Sequence, residues 1–312
     1  MNKSIAIFML ISSFILINII PNPLFSADPY SDAGSCGFSF LKIRGTTKSY
    51  AMGGTGVAAG ESFGINPAGY LDSLQKIGSS YQYLILSTHI GNIYYQKPFS
   101  FGKLQFSISY LTSPGIEKRD ELGNDLGEFG YSVIVPEINY ALKVMPDVDV
   151  GICGKFLYSS VDEYNATAVA VGLGARYHIK DFPGLTIGAM ADNLGTQLSA
   201  YDTEKDNLPF TFSGGISYQQ NLYQLNFDLY KASDTRFLWA LGVEGKPHQL
   251  IALRFGYNAK GSEWKTGGSN EILGGMTFGC GLSWRNFNLD YAIVPMVDLG
   301  WSHHIGISMY MN

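Results

Sequence analysis

From about residue 76 onward, apolar and polar residues alternate with a period of two along most of the chain, the periodicity of strands with one apolar face. Leu104, Phe106, Ile108 and Tyr110 alternate with Gln105, Ser107 and Ser109. Ile138, Tyr140, Leu142 and Val144 alternate with Asn139, Ala141 and Lys143, and the same rhythm runs through 167–179, 223–231, 276–284 and 305–311. One face carries large apolar and aromatic side chains; the other carries Gly, Ser, Ala and Asn. The pattern predicts strands at 76–87, 89–97, 102–112, 130–145, 148–160, 165–179, 184–194, 208–219, 222–232, 235–245, 248–258, 273–285, 287–295 and 301–311. Their number is fourteen, and a closed single-chain barrel requires an even count.

The connections alternate in kind. Tight ones are expected at 98–101, 146–147, 180–183, 219–221, 246–247 and 285–286, and longer, more charged ones at 113–129, 161–164, 195–207 and 259–272. Short turns on one side and longer loops on the other are the asymmetry of an outer-membrane barrel. With both termini periplasmic, the tight set falls on the periplasmic side. A soluble β-sandwich would alternate too. Several of these strands, however, run ten or more residues, near the roughly 9–11 that cross a tilted bilayer. Their apolar faces also often end in an aromatic residue (Tyr110, Tyr177, Tyr257, Trp284), as an interfacial girdle requires. The expected fold is all-β, a transmembrane antiparallel β-barrel.

Composition agrees with a lipid-facing surface. Of 312 residues, 46% are hydrophobic and only 15% charged, against about 25% charged in soluble domains. Past residue 25 the chain has no apolar run long enough for a spanning helix, which needs about 20 residues. The hydrophobic content also excludes disorder. A formal net charge of −5 offers no basic field for nucleic acid. Cys36, Cys153 and Cys280 are too few and too far apart to imply a disulfide framework or a zinc site.

The N-terminal part differs. Lys3, an apolar stretch over 5–20, a Pro21–Pro23 break and the small residues Ser26 and Ala27 follow the order of a secretory signal peptide. Residues 1–27 are therefore expected to be a signal peptide, 28–75 a separate segment and 76–312 the barrel. Residues 38–70 lack alternation and are dense in small residues, among them Gly53, Gly54, Gly56, Ala58, Ala59 and Gly60. Irregular backbone cannot face lipid, so this segment should fold inside the barrel as a hatch or cap its periplasmic mouth. Gly54, Gly56 and Gly60 do not form a nucleotide loop, because neither the spacing nor a strand–turn–helix context is right.

Phe38-Ser-Phe-Leu-Lys-Ile43, Ala51-Met-Gly53-Gly54 and Asn66-Pro67-Ala68-Gly69, together with Leu289–Gly300 and the following His303-His304, resemble the two ends of the PorV/PorQ family. That family belongs to the wider FadL-like group of outer-membrane barrels. The acidic stretch that usually follows the paired glycines is reduced to Glu61, and the chain ends on Met311 and Asn312 rather than on an aromatic residue. The resemblance implies a barrel in the bacterial outer membrane, with Gly53, Gly54, Asn66, Pro67, Ala68 and Gly69 as signature residues of the hatch. It implies transport or protein secretion, with type IX secretion components and exported proteins as partners. The alternative it implies is a FadL-like uptake channel for hydrophobic small molecules.

An enzyme is not expected. His303 and His304 are adjacent and so point to opposite faces of a strand. His248 falls in a tight turn and His178 near a strand end, where a solvated or interfacial role is the default, and His89 is the remaining histidine. Glu117, Asp120, Glu121, Asp125 and Glu128 read as a solvated outside loop, of a kind that could also take calcium. No cofactor site is identified.

Overall fold

A computed structural model describes residues 30–43, 45–60, 64–69, 74–85, 87–264 and 271–311. The expected signal peptide, residues 1–27, and Glu61 lie outside the described residues. Fourteen strands form one closed antiparallel barrel. They are β1 (Gln75–Tyr83), β2 (His89–Phe99), β3 (Gly102–Arg119), β4 (Asp125–Met145), β5 (Val148–Val161), β6 (Tyr164–His178) and β7 (Leu185–Ser199). The second half is β8 (Thr211–Gln219), β9 (Tyr223–Ala232), β10 (Leu238–His248), β11 (Ile251–Asn258), β12 (Met276–Trp284), β13 (Phe287–Pro295) and β14 (Trp301–Met311). Each strand pairs with its sequence neighbours, and β1 closes on β14 from Gln75↔Met311 to Tyr83↔His303. Closure leaves no edge, so every strand can bond its backbone groups within the wall.

The alternation in sequence becomes an inside-out distribution of polarity. On β6, Val169, Val171, Leu173 and Tyr177 are exposed on the outer face, while Ala168, Ala170 and Arg176 are buried in the lumen. On β14, Ile305 and Ile307 point out, while Ser302, His304 and Ser308 point in. The exterior is thus an apolar belt suited to lipid, and the interior holds the charges. Several of those charges are paired, as burial favours. Lys155 Nζ lies 2.8 Å from both carboxylate oxygens of Asp192. Arg254 bridges Glu244 at 2.7 Å and Asp290 at 2.6 Å. Asp149 takes His178 Nε2 at 2.7 Å and Arg176 at 3.4 Å.

Four expected connections differ. Residues 113–129, expected as a long loop, are instead the outer part of the β3–β4 hairpin. Pairing continues through Ser113↔Tyr131, Ile116↔Phe129, Glu117↔Glu128 and Arg119↔Asp125, leaving only 120–124 as the turn. Both faces of this extension are wet, so the ladder persists where the apolar alternation has ended. The link at 161–164 is a tight turn of Asp162 and Glu163, with Asp162 at φ 53°. Part of 195–207 is strand, because β7 runs to Ser199. The turn expected at 246–247 falls at 249–250, beyond a register shift between Gly245 and His248.

Candidate binding site in the lumen

The N-terminal residues thread through the lumen. Cys36 bridges to Asn207 beyond the end of β7, and Gly37 donates its amide to Asn207 O at 3.1 Å. Phe38, Phe40 and Leu41 then pack against Ile90, Leu111, Val135 and Leu157 on the inner wall. A 3-10 turn (Ser39–Lys42) leads to a short helix, α1 (Thr47–Ala51). Thr46 caps α1 by accepting the amide of Ser49 at 3.2 Å. Gly53 and Gly54 end it, at φ +73° and +80°.

The residues singled out from the sequence divide between two walls. Gly53 donates to Thr277 Oγ1 at 2.9 Å and accepts from Asn258 Nδ2 at 2.7 Å, so it lies on β11 and β12. A side chain there would meet the carbonyls of Leu241 and Tyr257 at 2.7 Å. Gly54 returns its amide to Ser49 O at 2.8 Å. Asn66, Pro67, Ala68 and Gly69 form a buried turn on the other wall, against β5 and β6. Asn66 Oδ1 accepts the amide of Ala68 at 2.9 Å, and Gly69 donates to Asn66 O at 3.0 Å. Asn66 Nδ2 donates to Val57 O at 2.7 Å, which ties the turn to the preceding chain. Wall glycines make this approach possible. A Cβ on Gly174 would fall 1.9 Å from Asn66 Oδ1, and one on Gly256 would fall 2.0 Å from Gly53 N.

Two chambers remain beside the segment. The larger, about 290 Å³, lies against the β8–β14 wall and is faced by Val57, Ile65, Leu238, Val294, Tyr230 and Trp264. A cavity of roughly 150 Å³ holds benzene, so this volume suits a small apolar molecule. Lys42 and Lys260 also face it. Lys42 is bound to Asp234 at 2.6 Å. Burial pushes the Lys260 ammonium below the ordinary lysine value, Glu263 opposes the shift and Lys42 adds to it. The smaller chamber, about 60 Å³, lies against β1–β5 and is faced by Ser80, Asn92, Ser109, Glu137 and Lys155.

The β4–β5 ladder beside the smaller chamber has an interruption in its pairing. Ile134↔Tyr158 and Glu137↔Lys155 keep one register, but Val135 and Pro136 between them are not paired to β5, although both are paired to β3. Proline has no N–H to give to a ladder. At this point an outer cleft, bordered by Ile108, Pro136, Ile138, Phe156 and Val169, reaches Glu137 and Lys155. The same two residues face the smaller chamber inside.

Sequence reasoning did not single out Tyr50, Lys260 or Trp264, and it met Lys42 only within the Phe38–Ile43 motif; these residues come together only through the threading of the N-terminal segment. Two signals were present. Pro136 stands inside a strand pattern, and Lys155, Asp192 and Asp228 are charges that the barrel turns toward its lumen.

No protein-family model and no curated protein sequence matches the chain. Among solved structures it is similar to the toluene transporter TodX of Pseudomonas putida, with 13% identity and a TM-score of 0.57, covering 86% of this chain and 97% of that one. It is similar to the toluene transporter TbuX of Ralstonia pickettii, with 13% identity and a TM-score of 0.59, covering 86% and 99%. A FadL homologue of Pseudomonas aeruginosa gives 11% identity and a TM-score of 0.52 over 86% and 96%. At such identities the likeness is one of fold, and the chain shares the barrel architecture of these proteins along nearly their whole length.

Proposed function

We propose that the protein is an outer-membrane channel that admits small hydrophobic molecules, with both termini in the periplasm and residues 28–75 acting as its hatch. The observation that carries this is the 290 Å³ chamber, apolar in most of its lining surface and lying between the N-terminal segment and the wall. The fold likeness to two toluene transporters supports the same reading. We further propose that cargo leaves sideways through the interruption at Pro136, where an apolar cleft on the lipid-facing side meets residues of the lumen.

The secretion role implied by the terminal motifs has less behind it. Gly53 and Asn66–Gly69 are buried where the segment packs onto the wall, and Gly54 faces the larger chamber, so the motif is turned inward and not toward an exported protein. Two of the fold neighbours are toluene transporters.

The test is entry of radiolabelled toluene into Gram-negative cells lacking their own hydrocarbon channels, with and without this protein. Expression should raise toluene entry several-fold and leave entry of a hydrophilic disaccharide unchanged. Disaccharide entry without a gain for toluene would replace the reading with an open aqueous pore.

A further inference from the structure

The larger chamber has a charged end, which lies in the half of the barrel away from Gln75 and Met311, where β9 ends at Ala232, β10 begins at Leu238 and β11 ends at Asn258. Two ammonium groups face it there. Lys42 comes from the threaded segment and is held at 2.6 Å by Asp234, in the β9–β10 link. Lys260 comes from the 3-10 turn Ala259–Trp264 that follows β11. We propose that Lys42 and Lys260 form an anion subsite, and that the preferred cargo is an aromatic carboxylate with its ring in the apolar part of the chamber and its carboxylate between the two lysines. This rests on the transport reading given above and names its cargo.

Lys260 lacks a counter-ion of its own. Among the described residues its ammonium forms no ion pair and no hydrogen bond. Glu263, in the same turn, lies 3.6 Å from Arg236, and Asp234 is taken by Lys42. Tyr230 donates its hydroxyl to Asn258 Oδ1 at 2.7 Å, and Asn258 Nδ2 donates to Gly53 O at 2.7 Å. Asp228, the carboxylate that faces the chamber, sits further in along β9, where it holds the amides of Gly56 and Val57. It is not among the charges that act on Lys260.

An ammonium withdrawn from water without a partner is costly, and here a second ammonium adds its repulsion. Burial pushes Lys260 below the ordinary lysine value; Glu263 opposes the shift, Lys42 adds to it and Asp234 opposes it more weakly. A carboxylate seated between the lysines supplies the missing acceptor and offsets the repulsion. A lysine has three donors, so Lys42 can keep Asp234 and still donate to the guest. Carboxyl groups are ionised at neutral pH, so the guest arrives with the charge the lysines need.

The rest of the lining takes a ring. Val57, Ile65, Leu238 and Val294 are aliphatic, and Tyr230 and Trp264 add aromatic surface. The volume of about 290 Å³ is about twice that of a cavity known to hold benzene, room for one ring with a small substituent at each end. An acid of sixteen carbons, scaled from the six of benzene, needs about 400 Å³ and overfills it.

The experiment measures binding of radiolabelled 4-methylbenzoate to the purified full-length protein in nonionic detergent, by equilibrium dialysis at pH 7. K260M keeps the length of the stem and loses the charge, and should weaken binding about ten-fold or more, the worth of one charge-assisted hydrogen bond. K260R keeps the charge and should restore most of the loss. Toluene entry into cells should be the same in K260M as in the wild type, whereas a merely structural role for Lys260 would lower it too. Heat-modifiable migration reports assembly. If K260M fails to assemble, competition on the wild type carries the test: unlabelled 4-methylbenzoate should displace the label at about one tenth of the concentration that its neutral analogue 4-methylbenzamide needs. Hexadecanoate should displace it poorly. Equal displacement by acid and amide, or unchanged binding in K260M, would overturn the subsite. Hexadecanoate displacing as well as the ring acid would overturn the aromatic assignment. Toluene entry without any binding of 4-methylbenzoate overturns the subsite and leaves the transport reading standing. Binding of 4-methylbenzoate without entry of toluene does the reverse.

Discussion

Asp228 on β9 accepts, through Oδ2, the backbone amide of Gly56 at 2.7 Å. The next amide, that of Val57, reaches the same oxygen at 3.0 Å. One buried carboxylate of the wall therefore holds two successive amides of the threaded segment, the arrangement by which a run of backbone N–H groups cradles an anion.

Removing that anion should loosen the segment without unmaking the barrel. D228A leaves two buried donors unsatisfied, a loss on the order of 2–4 kcal/mol in docking the segment. Limited proteolysis of the folded protein should then cut within 45–69, while heat-modifiable migration stays that of the wild type. D228N, which keeps one acceptor oxygen, should fall between. A protected segment in D228A would show that this clamp is dispensable.

The turn at Asn66 should respond to changes on either side of the contact. N66A removes the acceptor for Ala68 and the donor to Val57, costing about 1–3 kcal/mol for a buried group left unpaired. G174A drives a methyl group into the same space from the wall. Both variants should raise amide exchange at Val57 and Ala68 to a similar degree. Exchange that rises in one and not in the other would separate the turn from the wall.

Pro136 is expected to control the lateral exit. P136V supplies an N–H to a ladder that lacks pairing at this point. One added hydrogen bond is worth about 0.5–1.5 kcal/mol, so unfolding in denaturant should shift to higher concentration while toluene entry falls several-fold. A more stable barrel with undiminished entry would move the exit elsewhere.

The tip of the β3–β4 hairpin carries a pH dependence of known sign. Asp120 accepts from Asn124 Nδ2 at 2.8 Å and from the amides of Asn124 and Leu122 at 2.8 and 2.9 Å. The Asn124 side-chain bond, followed by the backbone bonds, holds its carboxyl below the usual 3.8. A depressed carboxyl stabilises the fold above its unfolded value, and the contribution is lost as pH falls through the folded one. Protection of the Leu122 and Asn124 amides should hold at neutral pH and disappear only below about pH 4. In D120N it should be weaker and flat with pH.

The barrel was legible because each strand crosses between lipid and a filled lumen, a boundary that writes itself into every second residue. Ile305, Ser302, His303 and His304 illustrate it, since parity alone sends His303 outward and His304 inward. Where the boundary ends, the legibility ends. At 113–129 both faces are wet, and the strand leaves no alternation to read. The chambers were hidden for another reason. Tyr50 and His304 are 254 positions apart, and only the threading of an irregular segment brings their rings together. Gly53 and Asn66 stood out as motifs in the sequence, yet nothing in the sequence shows that they rest on different walls.

The glycines of the lumen have a consequence for descent. At Gly151, Gly174, Gly188, Gly242 and Gly256 the wall is bare where the threaded backbone lies, with Pro67, Asn66, Val57, Met52 and Gly53 in the positions that side chains would fill. Wall and segment are mould and casting, each shaped by the absence of the other. Neither can drift alone: a methyl group gained on one must be matched by a retreat of the other. A barrel assembled from the wall of one lineage and the N-terminal segment of another should therefore jam or gape, however well each half folds, and the two must be inherited as a pair.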